Sequence, residues 1–286
     1  MKATSFETGF PTAGPAWLFA PADRPERFDK AHAAADVVIL DLEDGCQEEH
    51  RTAARENIVR ADLPMDSTVI RINSTGSEHS AADLAAIKQT SFRTIMLPKT
   101  ESPADIDAVV EEIADAVVIA LIETPRGVLA AESIALHPKV VGLFWGAEDL
   151  TAGLGGRESR NESGDYRAPA QFARMSVLFA AGAAGIGCLD SINADISDLE
   201  LVEREAREVA AAGFAGKCCI HPRQVAAIRK AFAPTEEELS WARGVVSAAK
   251  ENSGAFSYQG SMIDAPLVHQ ARRMLALESR DNPDRR

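Results

Sequence analysis

Eight short apolar runs, rich in β-branched residues, punctuate the chain. They are AWLFA (16–20), DVVILDL (36–42), STVIRI (67–72), RTIMLP (93–98), AVVIALIE (116–123), VVGLFW (140–145), GIGCLD (185–190) and GKCCIH (216–221). Near-continuous apolar strands belong to a parallel sheet covered on both faces. The intervening stretches 24–35, 48–59, 80–90, 102–114, 125–136, 168–183 and 197–213 read as helices. Ser102-Pro103-Ala104-Asp105 is a helix start, with a capping hydroxyl, a proline at the first helical position and an acid three residues on; Thr235 before three glutamates repeats the logic. Eight such units predict an α/β fold, a (β/α)8 TIM barrel spanning 16–232. A flexible N-terminal segment (1–15) would precede it, and a C-terminal helical extension (233–286), helical over 235–250 and 264–278, would follow. An open doubly wound sheet is the alternative, but no GxGxxG follows the first strand, and GLGGR (153–157) reads as a flexible loop.

Composition narrows the partners. The 286 residues are 46% apolar, enough for a sizeable core, and 30 Lys and Arg against 43 Asp and Glu leave a net charge of −13. That balance argues against nucleic acid or an anionic membrane as the main partner, so an anionic ligand must be held by local cations. Cys46, Cys188, Cys218 and Cys219 show no CxxC spacing and read as reduced packing residues. With neither a signal-peptide core nor a membrane-length apolar run, a cytoplasmic location is expected.

Charge then collects at the strand ends. Asp41 and Glu43 close the second run on one face, Arg71 lies in the third between Ile70 and Ile72, and Lys99 follows the fourth. Glu123 ends the fifth, Glu148 and Asp149 follow the sixth, Asp190 ends the seventh and His221 the eighth. In a barrel these all fall on the carboxyl-terminal rim, where active sites are built. So many acids need a cation, and carboxylates without a His or Cys cluster favour Mg2+, with Mn2+ possible. Glu123 and Asp149, on neighbouring strands, suit the metal best. Arg71 either pairs with Asp41 or Glu43 or clamps a substrate carboxylate. Lys99 is expected to pair with a pocket carboxylate rather than form a Schiff base. His221, followed by proline, reads as a structural corner more than a base.

The stretches FAPADRPERFDKA, VILDLEDG, VIRIN, LPK, LIETPRG, WGAEDL and CIHPRQV, with GSMIDAP near the end, resemble the citrate lyase β-subunit-like group of the HpcH/HpaI aldolase superfamily, a coenzyme A ester lyase group, from about residue 16 to 278. The resemblance implies a TIM barrel, a homotrimer or dimer of trimers, that uses Mg2+ to cleave or form a carbon–carbon bond in a hydroxyacyl thioester. Carried over by position, Glu123 and Asp149 match the metal ligands and Arg71 the substrate-binding arginine. Phe19, Arg24 and Lys30 match the loop that contacts the thioester carrier, coenzyme A or an acyl carrier protein. Asp41 matches a pocket acid, with Glu43 beside it in the substrate-binding set; Glu148, Ile220 and His221 complete the site. Asp264 matches an aspartate that reaches a neighbouring subunit's pocket, although it could equally cap the last helix. One departure is Asp23, where many relatives carry asparagine before the arginine.

The reaction this implies is a retro-aldol (Claisen-type) cleavage of a citryl-, citramalyl- or malyl-thioester to a 2-oxoacid, such as oxaloacetate, and an acetyl-thioester, with Asp264 or Asp41 protonating the enolate. The rival expectations are a non-catalytic, regulatory acyl-thioester-binding subunit of a larger complex, and a Mg2+ enzyme of phosphoenolpyruvate type.

Overall fold

The computed structural model describes residues 10–11, 13–252 and 254–281. By its contacts the chain forms two compact units, Met1–Arg229 and Lys230–Arg286. In the first, eight parallel strands close into a barrel in sequence order: β1 Ala16–Pro21, β2 Val37–Asp41, β3 Thr68–Arg71, β4 Thr94–Leu97, β5 Val117–Ile122, β6 Val140–Trp145, β7 Gly187–Asp190 and β8 Gly216–Cys219. Closure through the β1–β8 pairing rules out the open sheet. Helices α1 (Phe28–Ala34), α2 (Arg51–Arg60), α3 (Ser80–Ile87), α4 (Pro103–Glu112), α5 (Pro125–Ala135), α6 (Ala147–Gly153), α7 (Ala168–Ala184), α8 (Leu199–Ala212) and α9 (Pro222–Phe232) follow the strands. Helix α4 starts with the expected capping box, Ser102 and Asp105 satisfying each other's backbone amides. The sequence pattern did not anticipate α6. It ends at Gly153, and the GLGGR stretch turns away through Gly155 at φ +72°.

Alternate residues of each strand fill the barrel. Trp17, Val37, Ile39, Val69, Met96, Ile119, Leu121, Phe144, Leu189 and Cys218 form one buried cluster. Residues 1–9 and 12 of the expected flexible segment lie outside the described residues. Phe10, however, joins the cluster, 5.2 Å from the Trp17 ring. Its ring rests where a Cβ on Gly142 or Gly187 would lie 2.6 Å away, so only glycine leaves it room.

In the second unit, helix α10 (Glu236–Ala248) and helix α11 (Ala265–Asp281) pack with a two-stranded antiparallel ribbon, β9 Phe256–Tyr258 and β10 Ser261–Ile263, around Ala242, Val245, Ile263 and Ala271. Thr235 and Glu238 form the capping box of α10.

Candidate active site

Asp41 anchors the site. Strand pairing sets Asp41 beside Arg71, and the same alternation that turns Ile39 and Val69 inward turns both of these inward at the carboxyl end. Arg71 Nε and Nη2 donate to the two Asp41 oxygens at 2.7 and 2.6 Å. Those oxygens also accept the backbone amides of Glu43 (3.0 Å) and Gly45 (2.8 Å). A Cβ on Gly45 would lie 2.4 Å from Asp41 Oδ2, which explains the glycine in DLEDG. Arg71 Nη1 lies 2.9 Å from Glu43 Oε2, and Phe19 packs against the guanidinium at 4.8 Å. Burial works against the arginine's charge, but Asp41 and Glu43 outweigh it and raise its pKa. The sequence posed pairing and clamping as alternatives. Asp41 holds the Nε edge, and the end-on Nη edge, which Glu43 only partly uses, is the part of the fork that can meet another anion.

Beside this pair lies a second charge group. Lys99 Nζ pairs with Glu43 Oε1 at 2.5 Å and lies 4.0 Å from Glu123 and 3.8 Å from Asp149. Its backbone adopts φ +52°, unusual for a residue with a side chain, and its amide donates to Glu123 Oε1 at 3.0 Å. Glu123 is 3% exposed, and Gly146 gives its carboxylate space, since a Cβ there would sit 2.7 Å from Oε2. Burial, then the negative charges of Glu43 and Asp149, push Glu123 up to about 8. Glu43 is also raised, first by burial. Burial opposes the Lys99 charge, but Glu43, Glu123 and Asp149 raise its pKa.

This donor set fits Mg2+. All its groups are hard oxygens, and their mutual repulsion is relieved by a cation. Among the described residues no cluster of three or more His, Cys, Asp or Glu side chains is arranged as a metal site. Two carboxylates, Glu123 and Asp149, would leave the remaining positions of a metal to water and substrate oxygens, as Mg2+ prefers.

The other expected residues are spread around the barrel unit. Arg24 is half-exposed, 3.8 Å from Asp23, whose other oxygen lies 3.1 Å from His50 Nδ1. Lys30 is exposed on α1. Glu148 is exposed and accepts from Ser159 Oγ at 2.7 Å. Ile220 is 38% exposed, while His221 turns the corner into α9: its amide donates to Gln224 Oε1 and its Nδ1 accepts the Arg223 amide. Asp264, in the second unit, is half-buried at the start of α11, where its carbonyl accepts the Val268 amide.

Asp190 requires a correction. Leu189 faces the barrel interior, so its neighbour Asp190 points the other way, under the helices, and is fully buried. It accepts from Trp145 Nε1 (2.8 Å), Arg174 Nε (2.9 Å) and Lys217 Nζ (2.7 Å), and Glu205 joins Lys217 to Arg160. Burial would raise its pKa, but Lys217 and Arg174 lower it. This ion network is a brace between strands and helices, outside the site. A second brace, unread in the sequence, sits behind Arg71: Asp83 is buried and accepts from Arg55 (2.7 Å) and from Asn73 Nδ2 (2.7 Å), and Arg51 donates to Leu42 O and Asn73 Oδ1 at 2.6 Å each. It fixes the ends of β2 and β3, from which Asp41 and Arg71 project.

The chain is similar to known proteins over most of its length. The profile of the HpcH/HpaI aldolase/citrate lyase family matches residues 16–222. A citrate lyase subunit beta-like protein of Mycobacterium tuberculosis is 49% identical over 263 residues, 92% of this chain and 95% of the relative. The mitochondrial citramalyl-CoA lyase of Homo sapiens is 32% identical over 91% of this chain and 84% of its own length. The crystal structure of CitE from Mycobacterium tuberculosis in complex with magnesium, acetoacetate and coenzyme A matches with a TM-score of 0.88 at 49% identity, covering 93% of this chain and 98% of that one. A citrate lyase beta subunit from the same organism, complexed with oxaloacetate and magnesium, matches with a TM-score of 0.76 at 50% identity, covering 79% and 100%.

Proposed function

Because the chain belongs to the HpcH/HpaI aldolase/citrate lyase family, we propose that this carbon–carbon lyase uses Mg2+ to cleave or form a citryl-, citramalyl- or malyl-type thioester of coenzyme A, with a 2-oxoacid and an acetyl-thioester on the other side. The observation that carries the reading is the arginine fork of Arg71, held by Asp41 with its end-on edge beside the Glu43–Lys99–Glu123–Asp149 group.

In the cleavage direction the bond between the hydroxyl-bearing carbon and the thioester α-carbon breaks. The hydroxyl proton leaves, the 2-oxoacid carbonyl forms, and the electron pair passes to the thioester enolate. Held by Glu123 and Asp149, Mg2+ supplies Lewis-acid polarisation of substrate oxygen. The chain's own groups do the rest. Arg71 orients the carboxylate of the 2-oxoacid half through parallel hydrogen bonds. Asp41, whose oxygens already accept four hydrogen bonds, positions Arg71 and is poorly placed to exchange a proton, so the acid that protonates the enolate is assigned to Asp264 of a neighbouring subunit. Glu43, buried between Arg71 and Lys99 with its pKa raised, receives the hydroxyl proton. Arg24 and Lys30 supply cations for the carrier's phosphates, while Phe19, Glu148, Ile220 and His221 border the substrate.

This assignment requires a homo-oligomer, for which the family resemblance implies a trimer or dimer of trimers. Among the described residues no helix is long and apolar enough to cross a membrane. The test is to incubate the pure protein with Mg2+ and each of the three coenzyme A thioesters and to measure 2-oxoacid release. Thioester binding without release from any of them would overturn the catalytic reading and favour a binding subunit.

A further inference from the structure

Strand β8 ends at Cys219, and α9 does not begin until Pro222. Between them Ile220 and His221 leave the sheet, so their amides need acceptors from elsewhere. Gln224 supplies one. Its Oε1 accepts both amides, at 3.0 and 3.2 Å, and the residue is fully buried. So far this is helix capping, the third helical residue reaching back to the residue before the first. A glutamate would cap at least as well, because negative charge suits a helix N-terminus.

The other half of the side chain explains the amide. Gln224 Nε2 donates to the carbonyl oxygens of Asn193 at 2.9 Å and Asp195 at 3.4 Å, in the loop between β7 and α8. That loop is itself anchored: Asn193 Nδ2 donates to Glu205, and Lys217 Nζ donates to the Ser191 carbonyl at 2.6 Å. Through it, Gln224 joins the corner that carries Ile220 to the brace of Asp190, Lys217 and Glu205. Two N–H groups on one side and two carbonyls on the other fix which way the side-chain amide faces. Asparagine offers the same two groups only on a shorter stem.

We propose that Gln224 is a positioning residue for the thioester: by tying the β8 corner to the β7 loop it holds Ile220, 38% exposed, as a fixed wall beside the substrate. The proposal rests on the lyase reading, which sets Ile220 and His221 against the substrate. A corner free to move loses contact with the bound thioester in ground state and transition state alike, so KM rises and kcat stays. The metal side is held separately. The amide of Ala147, two residues before Asp149, donates to Ser191 Oγ at 3.3 Å, and Lys217 holds Ser191 whatever stands at position 224.

Gln224→Glu and Gln224→Met separate the cap from the tie. Glutamate keeps both cap bonds and loses the donor, whereas methionine, of similar length, loses all four bonds. Steady-state assay of 2-oxoacid release should show KM for the thioester raised about tenfold in both variants, with kcat within about twofold of the wild type. Calorimetric titration should show unchanged Mg2+ affinity. A wild-type KM in Gln224→Glu would reduce Gln224 to a cap and overturn the proposal. So would a parallel loss of Mg2+ affinity, the mark of general loosening. If the buried carboxylate prevents folding, Gln224→Met carries the same two readouts, and an unchanged KM there overturns the proposal as well. A wild type that releases no 2-oxoacid from any of the thioesters would overturn the lyase reading and this proposal with it, a failure distinct from an active wild type whose variants keep its KM.

Discussion

Removing the negative charge of Glu123 should stabilise the metal-free protein at alkaline pH and abolish much of its pH dependence. In the folded chain the carboxyl titrates at about 8 against an ordinary 4.5. Between those values the unfolded chain has released the proton while the folded chain still holds it, so stability falls as pH rises. Each unit costs about 1.4 kcal/mol, hence about 4 kcal/mol between pH 5 and pH 8, with the loss levelling off above the folded pKa. Glu43, also raised, adds to the same slope. With an unfolding entropy of about 2.1 cal/mol/K per residue, the melting temperature in chelator should drop by roughly 7 °C over that range. Glu123→Gln keeps the oxygen that accepts the Lys99 amide but has no charge to bury. Its melting temperature at pH 8 should exceed that of the wild type, and its slope should shrink to the part that Glu43 contributes. The assay is calorimetry with chelator in both proteins, repeated with Mg2+. Because the bound cation favours the ionised carboxylate, wild-type affinity for Mg2+ should rise about tenfold per pH unit up to about pH 8. A flat wild-type profile, or the same slope in Glu123→Gln, would refute the reasoning.

Lys99→Met removes the cation that lowers the Glu123 pKa, so the point at which the melting curve levels should move to higher pH; no movement would show that Lys99 does not govern the acid cluster. Arg71→Lys keeps the charge but loses the fork, and forfeiting a charge-assisted bond of about 3 kcal/mol should lower kcat/KM about 100-fold or more, which steady-state assay of 2-oxoacid release would check. Mixing Asp264→Asn subunits with Arg71→Ala subunits under exchange conditions should restore activity at sites pairing an intact Arg71 with a neighbour's intact Asp264. No recovery despite proven exchange would remove Asp264 from a shared site.

The barrel was legible because every strand is short and apolar and most are followed by a helical stretch, some with a start signal such as Ser102-Pro103 before α4, and those are local properties. The inward acids were legible for the same reason: with a period of two, Ile39 fixes the direction of Asp41. Asp190 was misread by one position. Its strand end looks like the others, but Leu189 holds the interior place, and a shift of one residue turns a carboxylate from the pocket to the helices. The brace that receives it draws Trp145, Arg174, Glu205 and Lys217 from separate elements, which no spacing reveals. The left-handed backbone of Lys99, whose amide meets Glu123, and the space Gly146 gives Glu123 depend on residues of the adjacent strand, brought together only by folding. Helix α6 is only seven residues long and gives little periodicity to read.

Phe10 links positions that are distant in sequence. The ring that closes the interior occupies the volume two glycines leave on β6 and β7, so none of the three residues can vary alone. A side chain at Gly142 or Gly187 would have to be matched by a smaller residue at position 10, and a small residue at position 10 would leave a hole that only a larger neighbour could refill. The constraint is one of inheritance as much as of packing: across related sequences these three sites should change together or not at all, and a version of the protein cut back to its first strand would carry two glycines whose reason had been removed.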